Sequence, residues 1–133
     1  MSDDVGMPTY WAMTLRSFIS RLAEMPAELP IRTDSGCQIA GIESYRGYYE
    51  QPALHPVEEW RFPPESPLAT IGEVLATARA AVGAEREGYK GGTYVMREDA
   101  DLWFAECGSA SGERPIAVEV RDGTAVIVLC GGL

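Results

Sequence analysis

Ile116-Ala117-Val118-Glu119-Val120-Arg121-Asp122-Gly123-Thr124-Ala125-Val126-Ile127-Val128-Leu129 is the stretch on which the fold turns. β-Branched residues recur on both sides of Asp122-Gly123. An Asp-Gly pair supplies the positive φ angles that a two-residue hairpin turn needs. The spacing predicts an antiparallel hairpin in which 115–121 runs out and 124–130 returns.

Two more period-two segments precede it, Thr93-Tyr94-Val95-Met96 and Leu102-Trp103-Phe104-Ala105, with Glu98-Asp99-Ala100-Asp101 as their turn. Sequential strands with tight connections predict an antiparallel meander ending in the hairpin. One face of such a sheet needs a cover. Two amphipathic helices are available. In the first, Trp11, Leu15, Phe18, Ile19, Leu22 and Met25 fall at spacings of three and four; Thr14 or Thr9 is its N-cap and Pro26 its end. In the second, Thr70-Ile71-Gly72-Glu73 is a capping box, Ile71, Val74, Leu75, Ala78 and Val82 form one face, and Gly83 supplies a left-handed stop.

Between the helices the reading is less regular. Residues 26–36 read as a loop with a short strand near 29–32. Gln38 to Tyr45 reads as a strand running into Arg46-Gly47-Tyr48-Tyr49. Residues 50–68 contain Pro52, Pro56, Pro63, Pro64 and Pro67 and read as an irregular surface loop carrying Trp60 and Phe62. The expected fold class is therefore α+β: an antiparallel sheet, a meander with a C-terminal hairpin, covered by two amphipathic helices. It forms one domain over residues 1–133, with 1–8 as a disordered tail.

Composition narrows the function classes. The 133-residue chain has a net charge of −9. That surface repels phosphate backbones and anionic lipids, so binding to nucleic-acid duplexes or to membranes is not expected. No apolar run approaches the ~20 residues of a transmembrane helix, and the N-terminus lacks the basic region of a signal peptide. Three separated cysteines, Cys37, Cys107 and Cys130, predict reduced thiols. They suggest no disulfide framework and no zinc knuckle. A cytoplasmic location follows. Neither a metal nor a cofactor is expected, and homo-oligomerisation is left open.

Two segments join aromatic rings to a cation beside glycine: Ser44-Tyr45-Arg46-Gly47-Tyr48-Tyr49 and Gly88-Tyr89-Lys90-Gly91-Gly92-Thr93-Tyr94. They hold five of the six tyrosines and Lys90, the one lysine. Glycine admits close backbone approach, Arg and Lys donate to an anion, and tyrosine offers a stacking face. Tyr45, Arg46, Tyr48, Tyr49, Tyr89, Lys90 and Tyr94 are thus the expected ligand-binding residues, and a small anion with a flat ring, nucleotide-like, is the expected ligand. The competing reading is structural: tyrosine suits strands, glycine suits turns, and Arg46 is within reach of Glu43 or Glu50. The Gly-Tyr-Lys-Gly-Gly string lacks Walker spacing and precedes a strand, so it is not a phosphate loop.

No catalytic residue is assigned. His55, the single histidine, has no nearby His or Cys partner, and there is no Gly-x-Ser-x-Gly elbow. Glu43 and Glu50 bracket the first tyrosine segment, but spacing in sequence does not set the separation of two carboxylates. A small hydrolase or transferase using Glu43, Glu50, Arg46 or His55 is the alternative from the enzyme class. A structural or protein-interaction module is the third. Cys107 has no local cation to activate it.

The string Ile42-x-Ser44-Tyr45-Arg46-Gly47-Tyr48-Tyr49, followed by Ala53-Leu54, resembles the signature of a family of small tailed-phage and prophage proteins. That family also carries a helix like 70–83, a Gly-Tyr-Lys-Gly-Gly string like 88–92, a Trp-bearing strand like 102–105 and a final hairpin. The resemblance covers about residues 13–130. The Pro-rich stretch 56–67 is longer than the family's, and Trp103 to Gly108 departs from its pattern. The family has no established activity. The resemblance implies a viral protein in the cytoplasm of an infected or lysogenic bacterium. The expected role is an accessory one, binding a small anionic ligand or a host protein to evade host defence.

Overall fold

The C-terminal hairpin forms as its pattern predicts. In the computed structural model, which describes residues 13–45, 48–56, 69–87, 92–106 and 109–131, β7 (Ser109–Arg121) pairs antiparallel with β8 (Thr124–Gly131). The turn closes at Arg121↔Thr124, with Asp122 at φ 51° and Gly123 at φ 77°. Two successive positive φ angles are the mark of a type I′ turn, whose twist matches that of the strands it joins. β7 starts earlier than expected and carries a bulge between Pro115 and Ala117, where the missing proline N–H is tolerated.

The rest of the sheet departs from a meander. The remaining elements are α1 (Leu15–Ala23), β1 (Ile31–Thr33), β2 (Ile39–Tyr45), β3 (Tyr48–Pro56), α2 (Ile71–Ala81), β4 (Glu85–Glu87), β5 (Thr93–Val95) and β6 (Trp103–Glu106). Six strands form one mixed sheet in the order β1-β8-β7-β6-β3-β2. Most of its contacts are antiparallel, but β1 pairs with β8 and β3 with β6 in parallel. β5 does not join this sheet. It pairs with β4 in a separate two-stranded ribbon, so residues 98–101 do not turn β5 into β6.

Part of the expected loop at 50–68 is instead the strand β3. Pro52 lies beside a register shift between Ser44 and Tyr45, and Pro56 ends the strand. At both places a missing N–H costs little, which is how a proline-bearing segment enters the sheet. The rest of that loop, with Trp60 and Phe62, lies outside the described residues, as do Trp11 and the expected N-terminal tail.

Both helices cover the same face. Leu15, Phe18 and Leu22 of α1 and Ile71, Val74, Ala78 and Ala81 of α2 share one core with Ile31, Ile42, Leu54, Phe104, Val118, Ala125 and Ile127 of the sheet. Thr14 is the N-cap of α1, and its hydroxyl accepts from the Ser17 N–H. Thr70 and Glu73 form the predicted capping box of α2. No helix among the described residues is long and apolar enough to cross a membrane.

Gly83 follows α2 at φ 79°, and its N–H donates to the Met96 carbonyl (2.8 Å), which ties the helix end to the β4–β5 ribbon. No atom crowds the position of a Cβ there, so the cost of a side chain is conformational. Gly83→Val is expected to destabilise the protein by about 1–2 kcal/mol. Thermal melting should fall by roughly 3 °C per kcal/mol lost in a chain of this size. An unchanged melting temperature would mean that the left-handed cap is dispensable.

Candidate functional site

The tyrosine-and-cation segments map onto strand connections. Tyr45, the last residue of β2, pairs with Tyr48, the first of β3. Glu87, the last residue of β4, pairs with Thr93, the first of β5. β2 and β4 are in contact. Arg46, Tyr89 and Lys90 lie outside the described residues, as do the side chains of Tyr45, Tyr48 and Tyr49. Tyr94 is described. It sits on β5 opposite Arg86, half-buried, with its ring against the main core and its hydroxyl oxygen out of contact with solvent.

An anion needs donors, and helix N-termini are the usual backbone source. Both are spent here. At α1 the Leu15 N–H donates to the Ala100 carbonyl (3.0 Å) and the Arg16 N–H to the Glu98 carbonyl (2.7 Å). At α2 the Ile71 N–H donates to the Leu29 carbonyl and the Gly72 N–H to the Ala27 carbonyl, each at 2.8 Å. The third N–H of each helix goes to its threonine cap. Carbonyls and hydroxyls thus fill the positions a phosphate would take at the N-termini of both described helices.

The loops that fill the helix ends are themselves braced. Arg16 pairs with Glu98 (2.9 Å), and Arg97 clamps Asp99 through two hydrogen bonds (3.0 and 2.7 Å). The side-chain hydrogen bond from Arg97 holds the Asp99 carboxyl below its ordinary 3.8, and the same bond raises Arg97. A lowered carboxyl stabilises the fold above its ordinary value and loses that contribution as pH falls through the lower one. Both groups are open to solvent, so the pair fastens a turn and adds little to stability.

The face of the sheet away from the helices carries a different set. Strand pairing aligns Glu43 with Ala53 and Ala53 with Trp103. The pairing of Phe104 with Glu113 brings Arg114 beside Trp103, and the Arg114 guanidinium lies 4.8 Å from the indole centroid. Arg114 in turn pairs with Cys130. One row across five strands therefore reads Glu43, Ala53, Trp103, Arg114, Cys130. The Trp103 Nε1–H donates to the Gln51 side-chain oxygen. Ala53 and Ala105 are fully buried against the indole. His55 pairs with Gly41 and so is a diagonal neighbour of Glu43. These two groups of the hydrolase alternative share the helix-free face. Glu50's side chain lies outside the described residues.

Arg114 and Gln51 did not stand out in the sequence. Gln51 reaches Trp103 through the parallel β3–β6 contact and Arg114 through the β6–β7 pairing with its register shift, and no local pattern announces either. The available signal was the alternation around Trp103, which puts Trp103 and Ala105 on the side opposite Leu102 and Phe104. Among the described residues no group of three His, Cys, Asp or Glu side chains is gathered to hold a metal ion. Compared with known proteins, the chain matches no protein family, no curated protein and no solved structure.

Proposed function

We propose that this protein is a phage or prophage accessory protein that binds a small anionic, nucleotide-like ligand through its two tyrosine-and-cation segments. Such binding, in the cytoplasm of an infected or lysogenic bacterium, would blunt a host defence that uses the ligand. One observation carries the reading. In the chain Arg46 falls between the paired residues Tyr45 and Tyr48, Tyr89 and Lys90 fall between the paired residues Glu87 and Thr93, and β2 and β4, which lead into the two segments, touch. Connections between paired strands are where binding residues concentrate on a rigid scaffold. In a chain of net charge −9, cations beside glycine and tyrosine are the suited anion donors. The N-termini of the two described helices, already saturated, do not compete for that role.

The test is thermal denaturation with mono-, di- and cyclic nucleotides at constant ionic strength. A ligand at 100 times its Kd stabilises by about 2.7 kcal/mol, so the melting temperature should rise by several degrees with at least one class. A flat response to every nucleotide at millimolar concentration overturns the reading.

A further inference from the structure

We infer that the helix-free face holds a second site, in which Arg114 and Gln51, arranged around Trp103, bind an oxyanion group, carboxylate or phosphate. The argument is one of donors and acceptors. An indole N–H only donates, so its bond fixes which end of the Gln51 amide faces Trp103: the oxygen. The amide NH2 is left with two donors. The Arg114 guanidinium over the indole is held by the ring's π-face, and that contact spends none of its five N–H donors.

The Gln51 amide and the Arg114 guanidinium therefore flank the indole from β3 and β7, and the one acceptor among these groups, the Gln51 oxygen, is already used. Among the described residues no carboxylate or carbonyl accepts from Arg114 or from the Gln51 NH2. The other half-buried arginines differ. Arg21 donates to the Val118 carbonyl and to Glu24, and Arg32 to the Thr33 carbonyl. On the same face Glu119 is engaged by Arg121 (2.8 Å). A guanidinium presents a planar fork that matches the two oxygens of a carboxylate or phosphate. Ala53 and Ala105 are buried and pack against the indole. This site shares no residue with the tyrosine-and-cation segments.

The experiment follows the Trp103 indole N–H resonance by NMR in the full chain, assigned by its loss in Trp103→Phe. Inorganic phosphate and acetate are titrated separately, with sodium chloride keeping the ionic strength constant. A saturable shift with phosphate alone assigns a phosphate ligand, with acetate alone a carboxylate, and with both the shared oxyanion chemistry; each supports the site. Arg114→Gln should weaken the response about tenfold or more, and Arg114→Lys should recover only part of it, because the charge returns without the fork. No saturable shift with either anion, or an equal shift in a folded Arg114→Gln variant, overturns the proposal.

Discussion

Phe18→Ala is expected to remove about 3–5 kcal/mol of stability, the range for truncating a buried aromatic side chain. Among the described residues Phe18 leads the fully buried side chains by size and is 0% exposed. It stands on α1 between Leu15 and Leu22, in the core that joins both helices to the sheet. Truncation removes its apolar area from the core and leaves a hole that a close-packed layer fills only in part. A domain has about 5–15 kcal/mol in total, so the variant should lie close to unfolding at room temperature. Urea denaturation measures this directly: the midpoint should fall steeply with the slope little changed. Val120→Ala is the control, since Val120 is 52% exposed and its loss should be felt far less. A loss below about 1 kcal/mol for Phe18→Ala would mean that α1 is not seated on the sheet.

Arg46→Ala and Lys90→Ala are expected to cost nucleotide binding about 1.5–3 kcal/mol each, roughly tenfold to a hundredfold in Kd. If the cations serve the ligand and not the fold, stability should change by about 0.5 kcal/mol or less. The double variant adds information that the single ones lack. If both cations grip one ligand, either loss lets the ligand shift, and the two effects should fail to add by more than about 0.5 kcal/mol. Titration calorimetry with the best nucleotide from the thermal screen reads all four Kd values. Binding that survives both substitutions removes the two segments as the site. A drop in melting temperature that matches the loss of binding would make the cations structural.

Local chemistry was the legible part of this chain. The Asp122-Gly123 turn, the Thr70–Glu73 box, the Thr14 cap and the Gly83 stop each depend on neighbours within four residues, and each forms as read. The sheet order was not legible, because sequential strands usually pair and here two of the contacts are parallel crossovers. A helix between β3 and β6 is the ordinary companion of a parallel pair, but Pro52 and Pro56 disguised β3 as a loop. Thr93 to Met96 showed its strand period plainly, yet period does not say which partner a strand takes. The candidate site divides in the same way. Tyrosine, glycine and cation strings are visible as words in the chain, whereas the Arg114-Trp103-Gln51 cluster exists only once three distant segments are aligned.

The parallel contact between β1 and β8 also bears on how the chain assembles during synthesis. The Asp34 carboxylate, just past β1, accepts from the Leu129 N–H across 95 positions of sequence. A chain emerging from the ribosome front end first carries β1 without its neighbour until β8 has been made. Closing so long a loop is the slow kind of folding event, so β1 joins the sheet only once β8 has emerged. During that wait β1 is exposed to other nascent chains, but at three residues it offers them a short edge to copy.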